Sequence, residues 1–155
     1  MSNSLDPELR TAGPLHVIAL KTRTSNGAEM MGAGKIAALY ELVGSRSSEI
    51  ADDSSRFSVY HAYESDQNGQ YDLAVGFGAE ANTSAPAGWI AVDVPAAEYL
   101  VFRAEGEMPG AVIDTWMRIW GHFGNPESEY VRTYTVDFEQ HGEAVDIFIA
   151  VVPRG

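Results

Sequence analysis

Two carboxylates, Asp137 and Glu139, stand two residues apart in the stretch YVRTYTVDFEQHGEAVDIFIAV, which runs from Tyr130 to Val151. The stretch reads as a β-hairpin. Its first arm alternates Tyr130, Tyr134, Val136 and Phe138 against Val131, Thr133, Thr135, Asp137 and Glu139. Its second arm sets Val145, Ile147, Ile149 and Val151 against Asp146, Phe148 and Ala150, with His141-Gly142-Glu143 as the turn. One face is core; the other combines carboxylates with small residues and Phe148. A carboxylate at the mouth of an apolar groove is costly to desolvate alone, so it takes a raised pKa or attracts a cation. Neighbouring aromatic rings each offer a lipophilic cation about 0.5 to 2 kcal/mol through cation–π contact, which favours delocalised positive charge. Strand parity supplies Tyr60 and Phe148 as aromatic walls, and Trp89 and Trp116 join them because they begin the strand and helix of the second half. The plain alternatives are a solvated hairpin glutamate at Glu139 and core packing for both tryptophans.

Other chemistries fail on residue type. Gly32-Ala33-Gly34-Lys35 has the ring of a phosphate loop, but the position of the required first glycine holds Glu29 and the residue after the lysine is Ile36. The four histidines, His16, His61, His122 and His141, lack metal-ligand spacing, and there is no cysteine for a disulfide or thiolate site. No metal or other cofactor is expected. With 10 Lys and Arg against 22 Asp and Glu the formal charge is −12, which repels a nucleic-acid backbone and favours cations. The N-terminus lacks a signal-peptide pattern and no apolar run reaches the roughly 20 residues of a membrane span, so a cytoplasmic protein without a membrane partner is expected.

The elements that must position these residues follow from periodicity. Residues 1–13 read as a flexible tail and residues 14–155 as a single domain of 45% hydrophobic composition overall. Leu15–Leu20 is a strand; a helix follows from Asn26, with Asn26 and Glu29 as a capping box and Ile36, Leu39, Tyr40 and Val43 on its apolar side. Ser45–Ser55 is a loop, Phe57–Glu64 and Tyr71–Phe77 form a hairpin about Asn68-Gly69, and Ala79–Gly88 links the halves. Trp89–Val94 and Tyr99–Ala104 are strands separated at Pro95. Pro109 opens a second helix carrying Val112, Ile113, Trp116, Ile119, Trp120 and Phe123. The two hairpins repeat, with Glu64 opposite Glu139 in the alignment and Asp72 opposite Asp146. The expected class is therefore α+β: duplicated βαββ units, about 14–80 and 88–152, related by a pseudo-twofold axis, with antiparallel sheets, one helix per half and a central ligand cleft.

The run YLVFRAEGEMPGAVIDTWMRIW, followed by DFEQHG and DIFIAV, resembles the effector-binding domain of the GyrI-like superfamily, which includes AraC-type regulator domains and stand-alone integron-cassette effector-binding proteins. The resemblance spans about residues 15–152. It implies a pocket for cationic, aromatic or amphipathic compounds in which a strand-end glutamate, here Glu139, meets the ligand's charge. The regulators of this type carry a helix-turn-helix segment ahead of the binding domain; with about 14 residues there, this chain is expected not to contact DNA itself, and a homodimer or a separate regulator is left open as partner. The first function expected is small-molecule binding. A hydrolase of strained electrophiles using a pocket glutamate as general base is the second, and a gyrase-inhibitor-like protein-interaction module the third.

Overall fold

Prolines mark where the two outermost strands of the sheet end. The computed structural model describes residues 7–32, 34–50, 55–66, 68–108, 110–142 and 144–154. Within them β1 (Glu8–Ala12) is followed across Gly13-Pro14 by β2 (Leu15–Ser25), and β5 (Ile90–Val94) across Pro95-Ala96 by β6 (Ala97–Ala104). A proline has no N–H to give to a ladder, so each long strand is interrupted there. β1 pairs with β6 while β2 pairs with β5, both antiparallel. From Ala12↔Ala97 to Leu15↔Val94 the count advances three residues in one chain segment and falls three in the other, so the two ladders are one ladder in constant register. The edges of the sheet thus meet at their breaks. A Cβ on Gly13, whose φ is +84°, would lie 2.8 Å from the Pro95 carbonyl oxygen, which accounts for glycine at that position.

The remaining elements are α1 (Asn26–Met30), α2 (Ile36–Arg46), β3 (Arg56–His61), β4 (Gln70–Ala79), α3 (Gly110–Gly124), β7 (Tyr130–His141) and β8 (Val145–Pro153). The eight strands form one sheet in the order β1-β6-β8-β7-β3-β4-β2-β5, all neighbours antiparallel, so the expected plural sheets are a single one. Its inner face buries Val17, Phe57, Val59, Tyr99, Phe138 and Phe148 as one cluster with, among the described residues, no helix against it, which is possible because the sheet curls on itself. The outer face holds two further clusters, one with Leu39 and Val43 of α2 and one with Ile119 of α3. Ile119 has no exposed surface, a burial that contributes about 1.5–3 kcal/mol for a side chain of this size.

Three expectations are corrected. Residues 8–12 of the segment read as a loose tail form β1, because β6 offers them an open edge; residues 1–6 lie outside the described residues. The first helix is two helices. Gly32, at φ +79°, and Gly34 interrupt it, and the N-cap is Ser25, whose hydroxyl accepts from the Ala28 N–H at 3.1 Å. Glu29 does not close a capping box at Asn26 but accepts from the Lys35 N–H at 2.8 Å and caps α2. Glu64 lies exposed beyond the end of β3, whereas Glu139 is inside β7 and buried. Pro109 and Glu143 fall outside the described residues.

Candidate functional site

Glu139 sits on the outer face of β7, opposite Ser58 on β3 and opposite Ile147 on β8, at the centre of the sheet. It is 1% exposed. One carboxylate oxygen, Oε2, accepts from Tyr60 Oη at 2.7 Å and from Trp116 Nε1 at 2.8 Å. The other, Oε1, faces His141 Nε2 at 3.2 Å, and that imidazole nitrogen is also 3.0 Å from Ser58 Oγ. The Tyr40 hydroxyl closes the chain of polar groups on Ser58. Trp116 packs against both outer clusters, so Glu139 lies under the seam between the α2 side and the α3 side of the molecule.

Asp137, two residues earlier on the same face, is fully buried and differently compensated. Arg132 Nη2 donates to Asp137 Oδ2 at 2.8 Å, the Tyr63 hydroxyl donates to the same carboxylate, and the Ala150 N–H donates to Oδ1 at 2.8 Å. Arg132 and Asp137 would face opposite ways in a regular strand. A bulge brings them together: β7 takes five steps from Arg132 to Asp137 while β8 takes two from Val151 to Ile149, and Tyr134 in between adopts a left-handed φ of 53°.

Above these groups lies a cavity of about 340 Å³ between α1–α2 and α3, over β3, β4 and β7. Tyr60, Tyr63, Tyr71, Trp116, Trp120 and Arg132 form its floor and walls, and Met30 and Ile113 stand at its exposed lip. Glu139 is behind Tyr60 and Trp116, one hydrogen bond away from the space. The Tyr60 and Trp116 rings meet edge to face at 5.1 Å between centroids, and Tyr60 packs on Tyr71 at 5.6 Å. Burial first, and the charge of Glu139 second, push the Tyr60 phenol well above its usual pKa. Burial, then Glu29 and Glu139, push Tyr71 up to about 12. For Tyr63, burial and the charge of Asp137 act upward against Arg132. These phenols therefore stay neutral donors at neutral pH. Among the described residues no group of three His, Cys, Asp or Glu is placed to hold a metal ion.

Of the residues singled out from sequence, the fold brings together Glu139, Tyr60 and Trp116. Phe148 is on the inner face, stacked on Phe138 at 4.3 Å between ring centroids. The hairpin register explains it: Phe138 pairs with Phe148 and Glu139 with Ile147, so the stripe holding Phe148 continues the core stripe of the other arm. Trp89 is off the cavity as well. It packs on Phe77, donates to Glu49 Oε1 at 3.2 Å and lies under the Arg46 guanidinium at 5.5 Å. Tyr63, Tyr71, Trp120 and Arg132 also line the cavity, and strand and helix periodicity alone does not assign them to it. Tyr71 was within reach, since pairing Tyr60 with Leu73 puts Tyr60 in the Tyr71–Leu73–Val75–Phe77 stripe. Arg132 carried no such signal, because strict alternation puts it on the wrong face.

A curled antiparallel sheet with helices on its outer face and an aromatic cavity over its central strands defines an effector-binding type of domain, and solved structures with this fold exist. An integron cassette protein of Vibrio cholerae, VCH_CASS2, superposes with a TM-score of 0.82 at 30% identity, over 95% of this chain and 96% of that one. SAV2435, solved with tetraphenylphosphonium bound, gives a TM-score of 0.72 over 95% of this chain and 94% of that one; at 14% identity the likeness is one of fold. In sequence, YobU of Bacillus subtilis (strain 168), which carries the name of a transcriptional regulator, is 30% identical over 146 residues, covering 85% of this chain and 89% of YobU. The match to the Cass2 integron-associated effector-binding proteins runs over residues 8–151, and the chain belongs to that family.

Proposed function

We propose that the protein binds lipophilic aromatic cations in the cavity over β3 and β7, with Glu139 as the fixed counter-charge and Tyr60 and Trp116 as walls. One observation carries this reading. Asp137 has the guanidinium of Arg132 against it, whereas Glu139 has a neutral phenol and indole on Oε2 and only the His141 imidazole, at 3.2 Å, on Oε1. An ionised carboxylate out of water without a matching charge is expensive, and a cation entering above it recovers that cost. The aromatic floor adds cation–π attraction of about 0.5–2 kcal/mol per ring. The overall charge of −12 raises the local concentration of cations. A protein of the same fold in complex with tetraphenylphosphonium is consistent with such a ligand. Because the donors of Tyr60 and Trp116 occupy Glu139 Oε2, holding charge suits this carboxylate better than activating water. Read outward from the central β7–β3 pair, the strands run β8, β6, β1 on one side and β4, β2, β5 on the other, and we take this as a duplication with the ligand at its centre.

Calorimetric titration with tetraphenylphosphonium and with neutral triphenylphosphine oxide tests the reading. The wild type should prefer the cation, and Glu139→Gln should weaken the cation by about 1.5–3 kcal/mol, the scale of a contact to a charged group, while leaving the neutral compound nearly unchanged. Equal effects on both compounds would overturn it.

A further inference from the structure

Each of the three tryptophans carries one indole N–H, and the three fare differently. Trp89 donates to Glu49 and Trp116 to Glu139. Trp120 Nε1 is covered and has no acceptor on the protein. Arg132, whose side chain is 4% exposed, gives Nη2 to Asp137 at 2.8 Å but leaves its Nε–H covered and without a partner. Among the described residues only one other side-chain nitrogen or oxygen shares this condition, His61 Nε2. Both Trp120 and Arg132 line the same cavity, and both stand beside Trp116: the Trp120 ring at 6.4 Å between centroids and the Arg132 guanidinium 6.0 Å from its centroid.

Buried donors without acceptors are rare, since each forfeits the hydrogen bond it made to water in the unfolded chain. Two on one cavity wall are an arrangement that a ligand acceptor would complete. Both atoms are covered, so an acceptor reaches them only with a shift of the side chains around them. The hydrogen bond is then gained on binding alone.

We propose that the cavity selects cations that also carry a hydrogen-bond acceptor, such as a carbonyl or ester oxygen, and that Trp120 Nε1–H and Arg132 Nε–H are its donors. This rests on the cation reading above and narrows the ligand class: delocalised positive charge over Tyr60 and Trp116, and an acceptor oxygen toward α3 and β7. A carboxylate would also find Arg132, but the Asp137 carboxylate already paired with that guanidinium disfavours an anion.

The test compares tetraphenylphosphonium with its para-methoxycarbonyl derivative, which has the same charge and one added ester. The wild type should bind the ester about tenfold more tightly than the parent. Trp120→Phe removes an N–H and should cut that preference to less than about threefold. Arg132→Lys keeps a positive charge for Asp137 but lacks the Nε–H, and should also reduce it; if that variant does not fold, Trp120→Phe carries the comparison. The ¹H–¹⁵N indole resonance that Trp120→Phe deletes should move downfield when the ester is added and much less with the parent, a response that a packing role for Trp120 would not produce. Equal binding of the two cations by the wild type, or a preference that survives Trp120→Phe with an unmoved indole resonance, overturns the acceptor proposal and leaves the cation reading standing. Binding of neither cation overturns both.

Discussion

Asp137 and Glu139 occupy the same face of β7, both shut off from solvent, yet the guanidinium of Arg132 lies 2.8 Å from Asp137 while the nearest ionisable base to Glu139 is the His141 imidazole at 3.2 Å, itself 22% exposed. The first carboxylate is a closed structural pair. The second is held by a phenol and an indole on one oxygen and an imidazole on the other, with no guanidinium against it, and the difference sets what each substitution should do.

Glu139→Gln should stabilise the ligand-free protein. The amide oxygen can still accept from Tyr60 and Trp116, and the charge whose burial is only partly offset is gone. A gain of about 1–2 kcal/mol in urea unfolding is expected, the scale of a hydrogen-bonded polar group relieved of its desolvation penalty. A loss of stability would show that His141 already neutralises Glu139.

Arg132→Leu should do the reverse, because it leaves Asp137 buried with only the Tyr63 hydroxyl and the Ala150 N–H as donors. Removing one member of a buried pair costs about 3–5 kcal/mol. Denaturant midpoints would measure it, and a change below about 1 kcal/mol would mean that water reaches Asp137 in solution.

Phe148→Ala should cost about 3–5 kcal/mol, as for other buried phenylalanines, by emptying the space stacked on Phe138 inside the curled sheet. Cation affinity should be unchanged within about twofold wherever the variant is folded, since the inner face and the cavity are on opposite sides of the sheet. A selective loss of binding would return Phe148 to the site.

Stability should also depend on pH through His16. Its hydrogen bond to Asp93, at 2.6 Å across β2 and β5, and a second to the Thr83 carbonyl raise its pKa above the ordinary value of about 6.5. A raised folded-state pKa means that the stabilising contribution is fully present below about 6.5 and is lost as the pH rises through the folded value. Melting temperatures of the wild type and Asp93→Asn should therefore differ most near pH 6 and converge in alkaline buffer. A gap that widens with pH would contradict this.

Element type and position were largely legible from periodicity. Leu15–Leu20, Tyr71–Phe77, Tyr99–Ala104 and both arms of the last hairpin are strands, and the apolar spacing of Val112, Trp116, Ile119 and Phe123 gave α3, because period-2 and period-3.6 patterns follow from local geometry alone. The placement of Glu139 on the strand face opposite Phe138 was legible too, from the alternation of its arm. What stayed hidden depends on which strands meet. Curling the sheet until β1–β2 and β5–β6 share a ladder turned Phe148 and its stripe into core. The bulge in β7 reversed the parity of Arg132, and pairing of β3 with β7 brought Tyr60 to Glu139 from 79 residues away. Cross-strand register and a local bulge are settled by long-range packing energy, which one strand's alternation does not contain.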